Sequence, residues 1–275
     1  MKNCRLLFII LPLFLPLPAL AWDSAVHTAL TQLTRTIVNV PGFWDSPHEI
    51  VLADQAGEQC NKKTRKKNLS QAPQSCVFVE LVCGADDPDS EKHWWNPKEN
   101  HDHQTKAEQF AVDEFNAAVK AHGEYGTKGH LAYAEAANHL GRSMHFIQDL
   151  TDFSKDMSSR SAAKKIRKKA IERAQDYLSE WNRTRKYPSR LMTRLESMRA
   201  ELATEPPPQT PAELVRDAFQ QRKEMADIIM EFLNDPAEGS HDSKLDEAVV
   251  LALAGTIVIQ EYWVDLYLKQ IGVKR

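Results

Sequence analysis

Apolar residues run almost without interruption from Leu6 to Leu20, and beyond Ala21 the pattern changes to apolar positions at helical spacing. Over 24–38, Val26, Leu30, Leu33 and Ile37 recur every three or four residues behind a capping Asp23 or Ser24, which predicts a helix with His27 in its first turn. Residues 39–100 lose that periodicity: five prolines, a polar tract at 61–75 and only short apolar runs predict a long irregular region with one or two short helices. Helical spacing resumes over 105–120 through Ala107, Phe110, Phe115 and Val119, and again from 128 to about 153 through Tyr133, Ala137, Leu140, Met144 and Ile147. The opposite face of that second helix is polar, with Asn138, Arg142, His145, Asp149 and Asp152 three or four apart and so aligned on one side. Charged helices are expected at about 161–182 and 187–203, a turn or linker at Pro206-Pro207-Pro208, and an amphipathic helix over 214–233. The last helix, about 245–269, is the most apolar; 249–259 has apolar side chains almost all round, the signature of a helix that runs through the core. With no internal repeat and no sustained period-two pattern, the expected fold class is all-α.

The apolar opening changes the picture of where the protein works. Met1, Lys2 and Arg5 precede it, Pro12, Pro16 and Pro18 break it, and Ala19-Leu20-Ala21 closes it with small residues around a cleavage point, so residues 1–21 read as a secretory signal peptide. Export to a periplasm or outside the cell is expected, with 22–275 as a soluble helical domain. Loss of Lys2 and Arg5 moves the formal charge from −3 to −5, so nothing global suggests a polyanion-binding protein. Cys4 leaves with the signal. Cys60, Cys76 and Cys83 remain in the irregular region, where a disulfide bracing the loop is the simplest expectation, since their spacing matches no zinc-knuckle pattern.

His145 and Asp149 stand one helical turn apart, which aims an imidazole nitrogen and a carboxylate oxygen at one point, the donor types that zinc accepts. On its own such a pair is more often a local hydrogen bond or a solvated face. Its company gives it weight: His27 early in the mature chain, Asp54 in Leu52-Ala53-Asp54, and His93 in His93-Trp94-Trp95-Asn96-Pro97. Trp22 at the predicted cleavage site, the histidine that follows it, the isolated Asp54, the HWWNP segment and LGRSMHFIQDLTD at 140–152 together resemble the zinc-dependent phospholipase C family, whose fold also includes the fungal zinc nucleases that cut single-stranded nucleic acid. The likeness spans 22–155, and the Trp22-to-His27 spacing is closer to the nucleases.

The resemblance implies that Asp54, His93, His145 and Asp149 hold one zinc ion, while the amine and carbonyl of Trp22 join His27 and Asp149 at a second, so that Asp149 bridges the two. An α-amine has a pKa of about 7.7–8.0, low enough to yield its proton to a metal near neutral pH. Asp54 is implied as the residue that orients or deprotonates the attacking water. The implied reaction is hydrolysis of a phosphodiester, with a phospholipid head group as the first substrate class and a single-stranded nucleic acid or nucleotide as the alternative. The competing plain readings are an apolar N-terminal residue for Trp22 and a surface helix histidine for His27.

The pattern departs from the family at its third zinc. Lys155 stands where a histidine is expected, no His-x-x-x-acid follows, and His241 falls in a Gly-Ser-His-Asp loop without a carboxylate four residues on. Three expectations compete: a third metal held by substitutes among His101, His103, Asp152 or Asp156; fixed positive charge from Lys155 with Lys164, Lys165, Arg167, Lys168 and Lys169 at the substrate phosphate; or a non-catalytic zinc- or lipid-binding protein. The basic run at 62–67 admits peripheral contact with an anionic membrane, but it lacks interleaved aromatics for stacking bases and reads more simply as a solvated loop tip. No stable protein partner is implied.

Overall fold

The structure is a computed structural model, and it describes residues 24–37, 106–128, 130–152, 161–184, 186, 188–204, 207–218, 220 and 241–273. The described residues form helices and their connections, with no strand among them, in accord with the all-α expectation. The helices are α1 (Ser24–Ile37), α2 (Lys106–Gly123), the single turn α3 (Tyr125–Lys128), α4 (His130–Thr151), α5 (Ser161–Thr184), α6 (Ser189–Leu202), α7 (211–218) and α8 (His241–Gln270). Trp22, Asp54, His93, Lys155, the three remaining cysteines, the basic run at 62–67, His101, His103, Asp156 and the leader segment lie outside the described residues.

The spine is α8. Its 30 residues extend about 45 Å at the helical rise of 1.5 Å per residue. Its first half, from Leu245 to Val258, is buried against Val26, Leu30 and Leu33 of α1, Ala170, Ala174 and Leu178 of α5, and Leu191 and Leu195 of α6. Its second half, from Ile259 to Leu268, is buried against Phe115 of α2, Leu140, Met144 and Ile147 of α4, and Leu214 and Val215 of α7. One helix thus serves two apolar clusters, which is why its sequence is apolar all round. The segment Ser243–Gln270 is long and apolar enough to cross a membrane, but 83% of its apolar window is buried against other helices. Gly272, at φ +77°, ends it: the left-handed conformation lets Val273 N donate to Leu268 O at 2.9 Å.

Short connections make neighbours antiparallel. At the α2–α4 hairpin, Lys128 Nζ reaches Glu124 and Glu135 at 2.8 and 2.7 Å, and small residues Ala107, Ala111 and Ala118 let α2 lie close along α4. Arg199 of α6 pairs with Glu261 and Arg190 with Asp246, so α6 is pinned to both halves of α8; Tyr177 of α5 adds a 2.9 Å bond to Asp246.

Two boundaries differ from the sequence expectation. His241 opens α8 instead of lying in a loop, because Asp242, Ser243 and Lys244 form a polar first turn that apolar periodicity cannot register. The helix expected from 214 starts at 211, where Pro211 occupies the first position, Glu213 N donates to Thr210 Oγ1 at 3.2 Å and Glu213 Oε2 accepts from Gln209 N at 2.7 Å.

Candidate metal centre

Helix α1 carries two stripes. Val26, Leu30 and Leu33 face the apolar cluster, while His27, Thr31 and Thr34, spaced four and three apart, turn toward α4 and α8 and are just as deeply buried. Helix α4 meets that polar stripe with His145, Gln148 and Asp149. Where the two helices meet, His27, His145 and Asp149 form a buried cluster whose donor atoms all lie within 4.8 Å of one another.

The geometry within the cluster is specific. His27 Nε2 is 3.5 Å from Asp149 Oδ1, and His145 Nε2 is 3.8 Å from the other oxygen, Oδ2. The two imidazoles stack, with centroids 4.0 Å apart and planes 29° off parallel. Side-chain exposure is 1% for His27, 5% for His145 and zero for Asp149. A strong hydrogen bond between an imidazolium and a carboxylate spans about 2.7–2.9 Å, so these separations are too long for one. They approach the roughly 3.3 Å expected between two donors bound at about 2.0–2.1 Å around one tetrahedral ion. A carboxylate removed from water carries a penalty of several kcal/mol, which a divalent cation among these three donors would offset. The three residues can therefore hold a metal ion, and the donor set of two imidazoles and a carboxylate suits it.

Amide and hydroxyl groups continue the polar contacts between α1, α4 and α8. Gln148 Oε1 lies 2.5 Å from His27 Nδ1, and Gln148 Nε2 donates to Thr31 Oγ1 at 2.9 Å. Thr34 Oγ1 donates to Gln260 Oε1 of α8 at 2.6 Å, and Thr256 Oγ1 of α8 donates to Thr151 Oγ1 of α4 at 2.8 Å. None of these amide and hydroxyl residues was singled out from sequence. The signal was present in α1, where His27, Thr31 and Thr34 recur at helical spacing, but only packing reveals that a helix buries its polar stripe as well as its apolar one.

Of the residues expected at the site, the structure brings together His27, His145 and Asp149. The surface-histidine reading of His27 is overturned by its burial at 1%. Asp152, the residue after the end of α4, is fully buried. Arg142 instead pairs with Glu114 of α2 at 3.1 Å, and His139 with the same carboxylate at 2.6 Å, so part of the polar side of α4 is committed to its hairpin partner. On α5, Lys168 and Lys169 are exposed, and Lys168 lies 3.6 Å from Glu172 of its own helix.

No protein-family model matches this chain, and no curated protein matches it.

Proposed function

We propose that the protein is an exported zinc-dependent phosphodiester hydrolase of the phospholipase C type. One observation carries this reading: two histidines from helices far apart in sequence approach the two separate oxygens of one buried aspartate, His27 at Oδ1 and His145 at Oδ2. A carboxylate addressed on both oxygens suits a bridge between two cations, the role that the resemblance implies for Asp149. Cleavage after Ala21 would leave the amine of Trp22 two residues before the start of α1, where it can join His27 on one side of the bridge. Asp54 and His93, which the resemblance implies as ligands, would complete the other side with His145. Zinc bound there would supply Lewis acidity to the phosphate oxygens and lower the pKa of a water molecule toward about 7.

The protein's own groups do the rest. Burial keeps the Asp149 carboxylate away from bulk solvent, and His27 and His145 would offer imidazole nitrogens to the metal. Asp54 orients the attacking water. Lys155 and the basic start of α5 supply positive charge to the phosphate where the family's third zinc would sit. Phospholipid head groups are the proposed substrate, with peripheral contact at the membrane surface. A single-strand nuclease or nucleotidase is the second reading, favoured by the short spacing from Trp22 to His27.

The test uses the natively secreted mature protein, with zinc content by elemental analysis and hydrolysis of phosphatidylcholine vesicles and single-stranded DNA run side by side. Two zinc ions per chain and turnover of the phospholipid are expected. Turnover of DNA alone would transfer the assignment to the nuclease reading, and fewer than two zinc ions without turnover of either would leave a non-catalytic binding protein.

A further inference from the structure

The imidazole of His27 faces consecutive residues of α4 with its two nitrogens. Nε2 faces Asp149 Oδ1 at 3.5 Å, and Nδ1 lies 2.5 Å from Oε1 of Gln148. The other end of the Gln148 amide donates to Thr31 Oγ1 at 2.9 Å, one helical turn beyond His27 on α1, and Gln148 and Thr31 are wholly buried. An amide oxygen only accepts hydrogen bonds, so Nδ1 must carry the proton. In neutral His27 the lone pair then lies on Nε2, the nitrogen that faces Asp149. An amide turned end for end would present its N–H to Nδ1 and force the proton onto Nε2, between the imidazole and any cation. With Thr31 Oγ1 acting as acceptor, its bond to Gln148 Nε2 holds the amide in the observed orientation, oxygen toward His27.

We propose that Gln148 is a positioning residue of the metal centre: anchored on Thr31, it locks His27 in the tautomer that turns the Nε2 lone pair toward a divalent cation beside Asp149. This rests on the metal-site reading of His27, His145 and Asp149. The partner on the far nitrogen of a metal-binding histidine fixes both its tautomer and its ring orientation, and its loss typically weakens metal binding about 10–100-fold. Gln148 also links the site to the fold, because the same glutamine ties α1 to α4.

The experiment compares the mature protein with Gln148→Met, Gln148→Glu and Thr31→Val, using zinc competition titrations and, on metal-free samples, nitrogen-15 histidine spectra that report the tautomer. The parent is expected to carry the proton on Nδ1 of His27. Gln148→Met, close to Gln in shape, should give mixed tautomers and zinc binding weaker by about 10–100-fold at unchanged helix content. Gln148→Glu keeps an acceptor against Nδ1, so it should preserve both the tautomer and the affinity; a merely structural role would not be rescued by that charge-bearing replacement. Thr31→Val, which releases the far end of the amide, should mix the tautomers too, and it decides the matter should Gln148→Met not fold. Parental tautomer and parental affinity in both Gln148→Met and Thr31→Val would overturn the proposal, as would a parent with the proton on Nε2. A parent that binds no zinc, yet changes tautomer when Gln148 is replaced, would sink the metal centre and not the hydrogen-bonding role of Gln148.

Discussion

At the residue scale, Asp149 concentrates the tension between stability and chemistry. Its carboxylate has no solvent exposure, and two imidazole nitrogens stand 3.5 and 3.8 Å from its oxygens. Such a group is useful to a cation and costly without one. Asp149→Asn should therefore weaken zinc binding by more than the roughly 100-fold upper range seen for outer-shell partners, while leaving the metal-free protein as stable as the parent or about 1–3 kcal/mol more stable, since replacement of buried ionic groups is often neutral or stabilising. Urea unfolding in the presence of a chelator measures the second half. A clear loss of metal-free stability would mean that Asp149 is a structural anchor and not a ligand held ready. The pairing of His145 with Asp149 was legible in the sequence because both lie on one helix, one turn apart; the approach of His27 was legible only through family likeness, because no local pattern tells where α1 docks.

At the scale of elements, α1 is a helix with both of its faces buried. Periodicity identifies its apolar stripe, Val26, Leu30 and Leu33, but leaves open what covers the stripe of His27, Thr31 and Thr34. The answer is α4 and α8, and each polar contact is made by partners distant in sequence: Thr34 with Gln260, His27 and Thr31 with Gln148. These bonds set the axial register of α1, because a shift by one residue would place a hydroxyl against apolar side chains. Thr34→Val removes the donor from a Gln260 amide oxygen that is wholly buried, at an expected cost of about 1–3 kcal/mol. Adding Gln260→Met should restore most of that loss, because a pair of apolar groups leaves no buried polar atom behind. Additive losses in denaturant titrations of the single and double variants would count against a coupled pair.

At the scale of the whole molecule, the metal cluster lies where the two apolar clusters meet. Helix α1 belongs to the cluster around the first half of α8, and α4 to the cluster around the second half. A cation held between His27 and Asp149 would tie those two parts together, so its binding free energy should appear as global stability. At a zinc concentration 100 times the dissociation constant, stabilisation is about 2.7 kcal/mol. For a chain of this size that corresponds to roughly 5–10 °C in melting temperature. Chelation should lower the midpoint by that amount in a thermal scan, and a residue added ahead of Trp22 should shrink the chelator effect while the helix content stays the same. An unchanged midpoint on chelation would show that no tightly held ion spans the two parts.

What this sequence determined by itself is local: which segments are helical, that α8 is apolar all round and belongs in the core, and that His145 and Asp149 share one turn of α4. Helical periodicity needs only neighbours three and four residues away, so a single chain displays it. Tertiary structure alone decided that the polar stripes of α1 and α4 face each other in a dry interior, that Arg142 turns to Glu114 and away from the cluster, and that Gln148 stands behind His27 across a sequence separation of 121 residues. Those outcomes depend on how helices dock, and docking is set by the summed burial of whole faces, a property that no short stretch of sequence contains.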